Sequence, residues 1–229
     1  THKLAAMMEQ SQSLDSLVKQ RVEHLTAWQD AAYAQRFESF VERVRAAESA
    51  LGKGDRLAQS VARSLSKLMA YKDEFEVARL YSNGDFERRL AEAFEGDVTL
   101  KFHLAPPLLS KRDDDGHLVK PTYGPWMKPA FRWLAKFKGL RGTALDPFGK
   151  TAERRMERAL IDEYTTSIGN ALARLTPETL PLVLELAALP ERMRGFGHVK
   201  EANVAKAKAR WAEIEAALAA APATKRAAA

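Results

Sequence analysis

Residues 95–109 read EGDVTLKFHLAPPLL, and residues 123–155 read YGPWMKPAFRWLAKFKGLRGTALDPFGKTAERR. These stretches decide the fold class, because they interrupt a chain that otherwise repeats with helical periodicity. Val98, Leu100, Phe102 and Leu104 alternate with Thr99, Lys101 and His103. That period of two predicts a half-buried strand over residues 97–104, ended by Pro106 and Pro107. A single strand does not persist alone in water, so a partner is required. The candidate is the segment 118–123, beyond the Asp113-Asp114-Asp115-Gly116 turn, with Pro121 restricting it to a short edge strand. Pro125 and Trp126 then open a helix to about Phe137, which Gly139 and Gly142 close.

Outward from this block the reading is helical. Leu14, Leu17, Val18, Val22 and Leu25 recur at helical spacing behind Ser13, and Tyr33, Phe37, Phe40, Val41, Val44 and Leu51 continue the stripe. One unbroken helix would reach ~57 Å, long for a compact domain, so a bend is expected over residues 28–34. Asp55 is the expected cap of a second helix, from Leu57 to Leu80, that stops at Asn83-Gly84. Asp85 starts a short third, Thr151 a fifth running to about Leu175, and Thr176-Pro177 a sixth. Pro190 and the Gly195-Phe196-Gly197 run form a joint before a last helix with Val204, Ala207, Trp211, Ile214 and Leu218 on one face. The expected architecture is mainly α, an irregular helical bundle with a small β-hairpin-like insertion around residues 97–123. Residues 1–12 read as a connector, 13–218 as one helical domain, and 219–229 as a disordered alanine-rich tail.

Composition limits the chemistry. The chain of 229 residues can bury a real core, and its 46% hydrophobic and 29% charged content is that of an ordinary globular protein. Zero cysteines exclude disulfides, thiolate zinc sites and thiolate-held iron–sulfur clusters within it. No apolar run reaches the ~18 residues of a membrane span, and no signal peptide is legible, so a cytoplasmic location is the expectation. The net charge of +6 is concentrated: residues 98–155 hold 12 Lys or Arg against 5 Asp or Glu. Such concentration concerns partners rather than fold.

Lys128, Arg132, Lys136, Lys138 and Arg141 interleave with Trp126, Phe131, Trp133 and Phe137, with no acid between Lys128 and Arg141. The spacing of four puts three cations on one helical face. Two readings compete: a solvated face with its aromatics packed inward, or a patch for an anionic partner that includes Lys150 and Arg154 at the next helix start. Gly149-Lys150-Thr151 is not a nucleotide loop, since Ala144 stands where the first glycine belongs and no strand precedes it. His198 and Glu201 lie one turn apart, but no third ligand has matching spacing, so no metal site is expected. His103 reads as a surface histidine, and Glu153, Glu157, Asp162 and Glu163 as intrahelical pairs of Arg154, Arg155 and Arg158. No catalytic residue is expected in this chain.

With the strings YKDEFEVARLY at 71–81 and LPERMRGFGHVKEAN at 189–203, the central block resembles the C-terminal domain of bacterial single-chain indolepyruvate:ferredoxin oxidoreductases, over residues 13–217. The resemblance implies a share in the oxidative decarboxylation of aryl 2-oxo acids to acyl-CoA. The whole enzyme would use thiamine diphosphate with magnesium, and iron–sulfur clusters that pass electrons to ferredoxin. The GDG-type and cysteine motifs for those cofactors are missing from this sequence, so none is expected to bind here. The implied partners are sibling domains of the same enzyme, ferredoxin or CoA. The alternative is a stand-alone basic helical binding module for nucleic acid, less favoured because the basic excess is confined to one block.

Overall fold

A computed structural model describes residues 12–96, 99–104, 121–194 and 198–221, leaving aside the side chains of His198, Lys200 and Glu201. The elements run α1 (Leu14–Trp28), α2 (Ala31–Ser49), α3 (Arg56–Met69), α4 (Glu74–Leu80), α5 (Asp85–Ala93), β1 (Phe102–His103) and β2 (Thr122–Tyr123). After these come α6 (Met127–Ala135), a 3-10 turn (Lys138–Leu140), α7 (Ala152–Leu172), α8 (Leu180–Arg192) and α9 (His198–Ala220). The fold is therefore mainly α with one small two-stranded hairpin, as the change of period predicts. Contacts divide into two compact units: Thr1–Ala70 with Met156–Ala229, and Tyr71–Arg155. None of the described helices is long and apolar enough to cross a membrane.

In the first unit, the expected long helix is two. The break falls at Gln29 and Asp30, where the Asp30 carboxylate accepts from the Tyr33 amide at 2.8 Å and so starts α2. Trp28 and Tyr33 stack across the break at 5.2 Å. α3 is the centre of this unit, packing on α1, α2 and α8, while α9 packs on α8. Its amphipathic face, Leu57, Val61, Leu65 and Met69, is buried. Asp55 does not cap it, because the Asp55 carboxylate accepts from Gln59 Nε2 at 3.0 Å instead. The cap comes from α2: buried Glu48 accepts from the amides of Leu57 at 2.8 Å and Ala58 at 2.9 Å. Pro190 lies inside α8 rather than at a joint, and its carbonyl accepts from Lys67 Nζ at 2.7 Å. Val204, Ala207, Trp211, Ile214 and Leu218 are buried as their spacing predicts, and α9 continues to Ala220.

The second unit begins where a helix was expected to continue. α3 stops at Ala70, and Asp73 starts α4 by accepting from the Glu76 amide at 2.8 Å. Gly84, at φ 85°, serves as the entry to α5. Phe102 pairs with Tyr123 and His103 with Thr122 in antiparallel register. Phe102 points inward and His103 outward, so the alternation holds, though the strand is shorter than expected. Asp97, Val98, the 113–116 turn, the 195–197 joint and most of the 1–12 and 219–229 segments lie outside the described residues.

Candidate functional site

α6 is anchored by one face. Met127, Phe131 and Leu134, spaced four and three, turn toward Ala78 and Phe102 and bury Phe131 to 4% exposure. The Phe131 ring stacks on Tyr81 and meets Phe102 edge-on, each at 5.4 Å. Trp126, Trp133 and Phe137 follow the same four–three rhythm through Ala130, one position earlier and so turned by about 100° to a neighbouring face. They face out, with Trp126 61% and Trp133 65% exposed, and the Trp133 and Phe137 rings lie 4.4 Å apart. The inward packing of all four aromatics is thus corrected to Phe131 alone. A helix of nine residues that packs one face on one neighbouring cluster leaves the rings of its other face to solvent.

The seven cations of the expected patch separate into distinct environments. Arg132 and Lys136, next in sequence to Trp133 and Phe137, are exposed, and among the described residues neither forms an ion pair. Lys128 is half-buried, 3.2 Å from Glu87. Burial raises the Glu87 carboxyl, but its backbone hydrogen bond and Lys128, with Arg132 farther off, outweigh burial and hold it below the usual range. Lys138 is half-buried in the 3-10 turn, and Lys150 is exposed on the loop before α7.

Arg141 and Arg154 are structural. Arg141 is buried, donating through Nε and Nη2 to the Asp73 carboxylate at 2.5 and 2.9 Å, with its guanidinium 5.5 Å from the Phe75 ring centre. Arg154 is largely covered, 3.8 Å from Glu74 and 5.7 Å above the Tyr71 ring. Neither belongs to the exposed set. Buried Asp146 accepts from the amides of Gly142, Phe148 and Gly149 at 2.8, 3.0 and 2.9 Å. The Gly149 amide is therefore committed to a carboxylate.

His103 is exposed, its Nδ1 3.1 Å from Thr122 Oγ1. His198 and Glu201 have no described side chains. Among the described residues no three His, Asp or Glu side chains come together to hold a metal ion. What the site offers is an exposed ring pair with two exposed cations next to it in sequence. The outward rings were missed from sequence, although the spacing 126, 130, 133, 137 marks a second helical face.

The described residues define a mainly α protein with one small two-stranded hairpin and an exposed aromatic pair at α6. A model of the family of unknown function DUF6537 matches residues 14–213, and the chain belongs to that family. No curated protein and no solved structure matches it.

Proposed function

We propose that this chain is a non-catalytic docking domain of an indolepyruvate:ferredoxin oxidoreductase, and that α6 is the face that receives an acidic protein partner. The enzyme assignment rests on the sequence strings at 71–81, 95–155 and 189–203. The observation that carries the docking role is the exposed Trp133–Phe137 pair flanked by Arg132 and Lys136. Aromatic rings and arginine dominate the energetics of protein interfaces, and cations around them steer an acidic surface into register. A single helix face is poorly shaped for the phosphates of CoA, which favour converging donors. Nucleic acid would call for cations spread along a longer track. Ferredoxin is the partner that the resemblance suggests.

The test is steady-state kinetics of the full-length enzyme carrying Arg132→Glu and Lys136→Glu. The expected result is a KM for ferredoxin raised about tenfold with the KM for the 2-oxo acid unchanged, since only docking is affected. An unchanged KM for ferredoxin, with the circular dichroism of the variant intact, would reject the docking role.

A further inference from the structure

A second surface lies wholly within the first unit and shares no residue with α6. α2 and α7 form the walls of an open groove of about 1320 Å3, with Leu65 and Met69 of α3 on its floor. The lining extends from Arg36 to Ala47 on α2 and from Ile161 to Leu172 on α7. At 1.5 Å per residue that is about 16 Å, or three helical turns. The volume exceeds the ~300–1,000 Å3 of small-molecule sites.

The walls admit a close neighbour. Ala46, Ala47 and Gly169 line the groove, and a Cβ at Gly169 would meet the Arg43 guanidinium at 3.9 Å. Among the described residues that line the groove, Arg36 and Arg43 alone are ionisable, so its charges have one sign. They sit seven positions apart on one helix face, about 10.5 Å along the axis. Arg43 rests over the Phe40 ring at 4.7 Å, and its side chain is exposed. Arg36 approaches Asp162 only to 3.9 Å, between side chains 66% and 80% exposed, a contact of small weight.

We infer that this groove binds an amphipathic helix of a partner protein, one with a small apolar face and two acidic residues seven positions apart that meet Arg36 and Arg43. Length, open top and apolar floor suit a helix laid along the groove, and the paired arginines set its charge. The inference is independent of the oxidoreductase reading and of the α6 face.

The experiment uses the full chain and two fluorescein-labelled helical peptides of about 14 residues, long enough for four turns. Both carry Ala and Leu on one face; one has Glu at two positions seven apart, the other Lys. By fluorescence anisotropy the Glu peptide is expected to bind about tenfold tighter than the Lys peptide and to weaken as salt rises from about 0.05 to about 0.5 M. Arg36→Glu with Arg43→Glu should invert that preference, and Gly169→Phe, which places a ring in the groove, should abolish binding. Because Arg36 and Arg43 are exposed, the charge reversal remains informative if Gly169→Phe fails to fold. Equal affinity for both peptides, or a preference untouched by the charge reversal, would overturn the inference. So would self-association in sedimentation that the Arg36→Glu and Arg43→Glu changes dissolve, since the occupant would then be a second copy of the chain.

Discussion

Arg141 grips Asp73 with two hydrogen bonds, at 2.5 and 2.9 Å, where the two side chains are only 3% and 4% exposed. The same Asp73 carboxylate caps α4 through the Glu76 amide. One buried carboxylate thus ties the first helix of the second unit to the loop that follows α6. The cation that sequence placed on the docking face instead holds this unit together.

Breaking such a pair from one side leaves a buried charge without a partner. Arg141→Met should cost about 3–5 kcal/mol in urea unfolding. Adding Asp73→Asn should recover much of the loss, because asparagine keeps the cap and removes the stranded charge. A double variant no more stable than Arg141→Met alone would show that the pair is not the cause.

Glu48 has the corresponding part in the first unit. Glu48→Ala would strand the buried amides of Leu57 and Ala58, and should lower stability by about 2–3 kcal/mol. Glu48→Gln, which retains an acceptor, should cost less. A change within ~0.5 kcal/mol, typical of surface positions, would mean that the α3 start finds another acceptor.

Glu74 makes the stability of the second unit sensitive to pH. Burial is the largest influence and raises its carboxyl; its backbone hydrogen bond and Arg154 oppose this, and Asp73 and Asp146 add to the rise. The folded chain therefore holds the Glu74 proton more tightly than the unfolded chain. The stability this provides is complete below the ordinary glutamate range and is lost as pH rises through the raised value. Between about pH 4 and about pH 7, Glu74→Gln should gain on the wild type in urea unfolding. A difference that stays flat across that interval would contradict the assignment.

These cases show where the sequence is legible. Periodicity locates most of the helical segments and the alternation around Phe102, since those patterns follow local backbone geometry. The division at residues 70–73 is not visible, because no Gly or Pro stands there and the apolar stripe runs through it. It depends on Asp73, whose partner Arg141 lies 68 positions away. Likewise the substitution of Glu48 for Asp55 as a cap is a tertiary choice that spacing does not encode. On α6 both faces carry aromatics, so apolar pattern alone does not say which one is buried. The adjoining Ala78 and Phe102 decide for Phe131.

The docking role of α6 is tested most directly by calorimetric titration of ferredoxin into the chain at low and high salt, with wild type beside Trp133→Ala/Phe137→Ala and Arg132→Glu/Lys136→Glu. The wild type should bind with an affinity that falls as the Debye length shrinks from ~10 Å at 0.1 M to ~3 Å at 1 M. The aromatic pair variant should lose binding while its thermal unfolding stays within ~0.5 kcal/mol of wild type, because those rings face solvent. The charge-reversed variant should bind weakly at every salt concentration. Binding that persists in both variants, or no binding by the wild type at low salt, would contradict the assignment of α6 as the docking face.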